Sequence, residues 1–214
     1  MTQSGIVQIG YGTEPSNPTS GKVGLYSLDG SELLIKNDAG TVLPIGGEYK
    51  IATVTVGVGG GVSSIDFTSI PATYNKLVID AFLNCTVAAD DMYMRVNGDA
   101  GANYDYLCSR FRYNGGFATD EGIAQTSAKI ASITNLSGVF DSLHIEIPWY
   151  AQTFGQKSLW TVCTMKGANT TTNVFEKTST VWWRSTAAIN RVTLIWIDAT
   201  TFNASSTATL YGVY

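Results

Sequence analysis

NRVTLIWID (Asn190–Asp198), ATTFNASST (Ala199–Thr207) and ATLYGVY (Ala208–Tyr214) form the stretch whose reading decides the fold. It reads as two strands joined by one connection. Val192, Leu194 and Trp196 share one face of a period-two element, and Ile195 and Ile197 share the other. A segment apolar on both faces is expected to be buried on both, so it belongs inside the fold. The final strand runs to Tyr214, which places that end of the chain in a sheet. The class this implies is all-β.

Outward from that stretch, the bulk properties bound the possibilities. A chain of 214 residues suits one all-β domain with a small appendage. At that length roughly 70% of the unfolded chain's surface can be buried, so no staple is required. Charged residues make up 14% and the net charge is −4, without a basic run. Nucleic-acid binding is therefore not expected, since phosphate neutralisation needs clustered Lys and Arg. Cys85, Cys108 and Cys163 lie in apolar, strand-like contexts and lack zinc spacing, so they read as small buried thiols. No signal peptide and no stretch of about 20 apolar residues is visible, so membrane insertion is not expected and folding in a reducing cytosol is.

Taken in order, the chain falls into two parts. Residues 1–46 comprise an extended arm and a small β module. Pro15 and Pro18 favour an extended connector in TEPSNPTS (Thr13–Ser20). Three short strands follow over residues 22–45, punctuated by Asp29-Gly30 and Asp38-Ala39-Gly40, which are hairpin signals. The apolar residues there, among them Val23, Leu25, Leu28, Leu34, Val42 and Ile45, are too few for an independent core. Identical copies of the chain are the simplest surface for them to bury against, which makes these six the candidate oligomerisation residues.

Residues 47–214 read as a head of eight to ten strands. They are expected near 49–56, 62–68, 76–85, 91–97, 104–113, 140–147, 157–165, 179–184, 190–198 and 207–214. Leu143, Ile145 and Ile147 alternate cleanly with His144 and Glu146. Residues 120–133 (DEGIAQTSAKIASI) are the one segment that suggests a short helix. Many strands with no helices between them indicate a jelly-roll-type two-sheet sandwich preceded by the small N-terminal β module. Gly57-Val58-Gly59-Gly60-Gly61 is a loop and not a phosphate cradle, because no Lys-Ser/Thr follows it.

Candidate chemistry is sparse, and the expectation is no catalytic residue, no metal and no cofactor. His144 is the single histidine, no Gly-x-Ser-x-Gly accompanies it, and it reads as outward-facing beside Glu146. Asp90-Asp91 and the loop Asn97–Asp105 are oxygen-rich enough for calcium, but the loop lacks EF-hand spacing and is equally explained by turn formers. Aromatics are numerous. Adjacent residues on a strand face opposite ways, so one of Trp182 and Trp183 should be core and the other exposed. Trp149, Tyr150 and Trp183 are the candidates for a ligand or subunit contact.

Two passages together resemble bacteriophage virion proteins. PSNPTSGKVGLYSLDGSELLIKNDAGTVLPIGG (Pro15–Gly47) is similar to the short β module that opens many phage fibre and surface proteins. FTSIPATYNKLVID (Phe67–Asp80), MRVNGDAGANYDY (Met94–Tyr106), HIEIPWY (His144–Tyr150), KSLW (Lys157–Trp160) and FNASSTATLYG (Phe202–Gly212) resemble the jelly-roll head of tail-fibre and capsid-decoration proteins. The resemblance implies a homotrimer on the virion exterior, made in the host cytoplasm, with the major capsid protein or another virion protein as its partner. Only some 46 residues precede the head, with no coiled-coil stretch or long repeat, which favours a capsid decoration or cement protein. The alternative is a tail-fibre or receptor-binding head that recognises host cell-surface glycan.

Overall fold

The computed structural model describes residues 10–11, 13–27, 34–40, 42–44, 47–87, 90–113, 115–166 and 174–214. The chain divides into two compact units, Met1–Tyr49 and Lys50–Tyr214. Both are built from β-strands, and no helix occurs among the described residues.

The first unit is a four-stranded sheet in the order β1 (Gly10–Tyr11), β2 (Val23–Ser27), β3 (Leu34–Asn37), β4 (Val42–Pro44). β1 runs parallel to β2, and the other pairs are antiparallel. The Asp38-Ala39-Gly40 turn forms as expected: Gly40 takes φ +84° and its N–H donates to the Asn37 carbonyl at 3.0 Å. Asp29-Gly30 lies outside the described residues. Tyr26 and Leu34 are the buried apolar side chains among the described residues of this unit. Lys36 is buried beside them, its ammonium donating to the Pro15 carbonyl at 2.8 Å and pairing with Glu14 at 2.8 Å.

The second unit is a sandwich of two sheets. The larger has eight strands, in the order β10 (Phe117–Gln125), β9 (Tyr104–Arg112), β14 (Val174–Trp183), β13 (Lys157–Lys166), β12 (Asp141–Pro148), β7 (Lys76–Leu83), β16 (Thr207–Val213), β5 (Tyr49–Thr55). The smaller has four, in the order β11 (Ala128–Ile133), β8 (Asp90–Val96), β15 (Val192–Ile195), β6 (Ser64–Phe67). β11 lies across β9, β13 and β14, with the Thr161 hydroxyl donating to the Ile130 carbonyl at 2.7 Å. Side chains of one parity point into the gap: Leu143, Ile145, Ile147, Leu159, Cys163 and Val181 from the large sheet, Ile65, Phe67, Met92, Met94, Val192 and Leu194 from the small one. The alternation is that of antiparallel strands with one face buried and one in water. All three cysteines are buried free thiols, and burial pushes Cys163 up to about 12.

Three expectations need correction. The segment 120–133 is not helical. Its first half completes β10 and its second half is β11, in the opposite sheet. Ile130, Ala131 and Ile133 are all buried there, in a strand that packs against β9, β13 and β14. Tertiary packing overrides the helix propensity of an alanine-containing run. Second, Val192, Leu194 and Trp196 are buried as expected, but Ile195 is half-buried and Ile197 is 54% exposed. β15 ends at Ile195, so the alternation stops before Ile197. Third, the strand expected over 179–184 is longer, beginning at Val174. β15 and β16, the two strands expected at that end of the chain, lie in different sheets, so the connection between them crosses from one sheet to the other.

Candidate interaction surface

The outer face of the large sheet collects the side chains of opposite parity, and many of them are apolar. Antiparallel register sets Trp160 of β13 opposite Thr180 of β14, and Thr180 opposite Leu107 of β9. Trp182 lies one pleat further along β14, and Ile123 of β10 closes the cluster next to Leu107. Toward the other end of the same strands, Phe111 pairs with Phe117, ring centroids 5.1 Å apart. Phe82 stacks on Phe140 at 4.9 Å. Leu107, Phe111, Phe117, Ile123, Trp160, Trp182 and Phe82 are all exposed. Isolated exposed apolar residues are ordinary, whereas a continuous group across four neighbouring strands marks an interaction surface.

A polar island interrupts this face. His144 of β12 shares a hydrogen bond with Asp80 of β7 through Nδ1 at 2.6 Å, and Nε2 faces Glu146 at 3.4 Å. Lys76 pairs with Glu146 at 3.1 Å. Burial raises the Glu146 carboxyl, but Lys76 and His144 outweigh it and hold the group below its ordinary value. A shallow depression of about 500 Å³ beside the island is lined by Asp80, Phe82, Ser142, His144, Val162 and Thr209, among others. Ser142, His144 and Asp80 are the residue types of a hydrolytic triad, but both imidazole nitrogens face carboxylates rather than the Ser142 hydroxyl. A base–nucleophile pair is the geometry such chemistry needs.

The acidic candidates have structural partners. Asp91 accepts from Lys177 at 2.8 Å, Lys129 at 2.9 Å and Ser132 at 2.6 Å, tying β8 and β11 to β14 across the sandwich. Burial alone would raise this carboxyl, but the two ammonium groups and the hydroxyl bring it down to about 2. Lys129 also pairs with Asp120 of β10, and the two carboxylates outweigh burial and hold its ammonium above the ordinary lysine value. In the loop weighed for calcium, Asp99 accepts from the Gly101 N–H at 2.8 Å, the Asn103 amide at 2.9 Å and the Trp183 indole at 2.7 Å. That is a turn organised around one carboxylate. Among the described residues no three His, Cys, Asp or Glu groups converge as a metal site would require.

The six oligomerisation candidates are spread across burial classes. Val23 is exposed, Leu25 and Val42 are half-buried, and Leu28 and Ile45 lie outside the described residues. Leu34 is buried within its own unit, so it belongs to that unit's core rather than to a surface offered to a sister copy. Of the three aromatic candidates, Trp149 is exposed and the other two are corrections. Tyr150 is fully buried, and its hydroxyl donates to the Pro71 carbonyl. Trp183 is 3% exposed because its indole reaches inward to Asp99, and its neighbour Trp182 is the exposed one at 48%. The sequence reading missed Leu107, Phe117 and Ile123 altogether. The available signal was strand parity carried over from Leu143–Ile147, but applying it required the cross-strand register.

No protein-family model, no curated protein and no solved structure matches the chain. The fold and its exposed face therefore stand as the grounds for function, beside the resemblance in the sequence.

Proposed function

We propose that this protein is a structural component of a bacteriophage virion: a homotrimer on the capsid exterior, decorating or cementing the shell, with its second unit a jelly-roll-type head. The sequence resemblance supplies the virion context. The observation that carries the structural role is the outer face of the large sheet, where Leu107, Phe111, Phe117, Ile123, Trp160 and Trp182 stand in water. A subunit that assembles covers such a face, and a lone monomer seldom keeps one open. The thin core of the first unit supports the same reading, since Tyr26 and Leu34 are its buried apolar side chains among the described residues.

In this reading the first unit joins three copies, and sister heads rest against one another through the apolar sheet face. The trimer bridges neighbouring copies of the major capsid protein. Linked contacts engage at high effective concentration, so three individually weak contacts sum to a firm clamp. No catalysis and no cofactor enter the mechanism. Particles lacking the protein should release their contents at lower temperature than complete particles, and antibody label should cover the whole shell. Equal robustness of the two kinds of particle overturns cementing, and label confined to the tail moves the protein to a tail fibre.

A further inference from the structure

The polar island on the outer face of the large sheet holds the one histidine of the chain, and its geometry suits an imidazolium. Both ring nitrogens of His144 face carboxylates, Nδ1 toward Asp80 of β7 at 2.6 Å and Nε2 toward Glu146 of β12 at 3.4 Å. A carboxylate only accepts, whereas a neutral imidazole carries one N–H and one lone pair. A neutral ring therefore turns its lone pair on one of the two carboxylates, and a protonated ring donates to both. Lys76 of β7 adds one positive charge through its pairing with Glu146 at 3.1 Å. On the other side of His144, β13 presents Val162 and Trp160, which do not titrate, and beyond β7 Thr209 of β16 stands opposite Asp80. Two carboxylates and one ammonium leave the island one negative charge in excess, and protonation of the ring balances it.

The island adjoins the apolar cluster. Glu146 stands directly opposite Trp160 in the β12–β13 register, and the His144 ring lies 5.7 Å from the Trp160 ring, centroid to centroid. A sister head laid over Trp160 therefore takes water from His144 as well. In the uncovered subunit the Asp80 side chain is 51% exposed and that of His144 36%, so water hydrates the excess charge and the misdirected lone pair. Under a sister head that hydration is lost, and an unbalanced charge or an unmatched polar atom away from water is costly.

We infer that assembly through this face takes up a proton on His144, so that the contact between heads tightens as pH falls through the range where imidazole changes charge. The inference rests on the assembly reading above and adds its regulation. One proton taken up per contact strengthens association by up to about tenfold per pH unit. Asp141, pushed up to about 6 by burial, titrates in a neighbouring range but points into the sandwich with Leu143, away from the island.

Sedimentation equilibrium of the full-length chain at about pH 6, 7 and 8 and constant ionic strength spans the imidazole range. Native association should be about tenfold tighter at the low end than at the high end. His144→Gln keeps a donor and an acceptor but cannot charge, so its association should show no such slope, with melting temperatures at each pH confirming the fold. The lone histidine also gives one imidazole C2–H resonance. Its titration midpoint in the assembled native protein should lie about one pH unit above that in a dissociated Leu107→Glu, Ile123→Glu variant. Those two changes lie on β9 and β10, three and four strands from β12. Association that ignores pH or tightens as pH rises overturns the inference, as do a His144→Gln slope equal to the native one and coincident midpoints. Each of these leaves the assembly reading standing. A chain that stays single at every pH, or a double variant that associates as firmly as the native protein, removes that reading and this inference with it.

Discussion

Trp182 and Trp183 occupy adjacent positions on β14 and meet opposite environments, and the hydrogen bond from the Trp183 indole to Asp99 shows what the inward one does. It anchors the 97–103 turn to the end of the large sheet. Trp183→Phe keeps most of the packing and removes that donor, so it should cost about 1.5–3 kcal/mol, the value of a hydrogen bond to a charged group. Thermal unfolding should show the loss, and Trp182→Phe, at a solvent-facing ring, should show almost none. Asp141 makes a prediction of opposite pH sense. Burial pushes its carboxyl up to about 6, against backbone N–H donors from Thr134 at 2.5 Å and Lys166 at 2.9 Å. The folded state therefore keeps this proton to about pH 6, while the unfolded chain releases it near the ordinary aspartate value of about 4. Stability from this group is fully present below about pH 4 and lost as pH rises toward 6. Asp91, held down at about 2, acts the other way, its contribution vanishing as pH falls from about 4 toward 2. Melting temperature should thus decline from pH 4 to pH 6, and Asp141→Asn should flatten that decline. An unchanged slope in the variant contradicts the assignment.

At the scale of elements, sequence periodicity located most strands of the second unit because each buries one face. β12 is the clearest case: Leu143, Ile145 and Ile147 are all buried, while His144 and Glu146 face outward. β10 and β11 were illegible for a physical reason. β10 has apolar residues on its solvent side and a left-handed residue, Ala124 at φ +54°, where it leaves β9, so no simple alternation marks it. Parity was equally ambiguous for the candidate surface, since KSLWTVCTM carries apolar side chains on both faces of β13. Buried lysines added to the difficulty: Lys157 and Lys177 both sit on the inward face, where sequence logic expects none. Gly212 of β16 is a further feature that a strand pattern conceals. A Cβ there would lie 2.3 Å from the Tyr74 ring, which packs against Tyr214 with centroids 4.8 Å apart. Gly212→Ala should therefore destabilise the second unit by about 1–3 kcal/mol through overpacking, measurable by denaturant titration. Tyr74→Ala in the same background opens the space and should recover part of the steric cost.

At the scale of the whole molecule, two features point to assembly. The first unit has too little buried apolar surface among its described residues to stand firmly alone. The second has a full core of its own and still leaves an apolar face in water. Both are resolved at once if copies of the chain cover one another. Sedimentation equilibrium of the full-length protein at micromolar concentration measures this most directly, beside a variant carrying Leu107→Glu, Trp160→Glu and Trp182→Glu. The account predicts three times the 22.9 kDa chain mass for the native protein, and a markedly weaker association for the variant with its fold intact. A native protein that sediments as a single 22.9 kDa chain contradicts it.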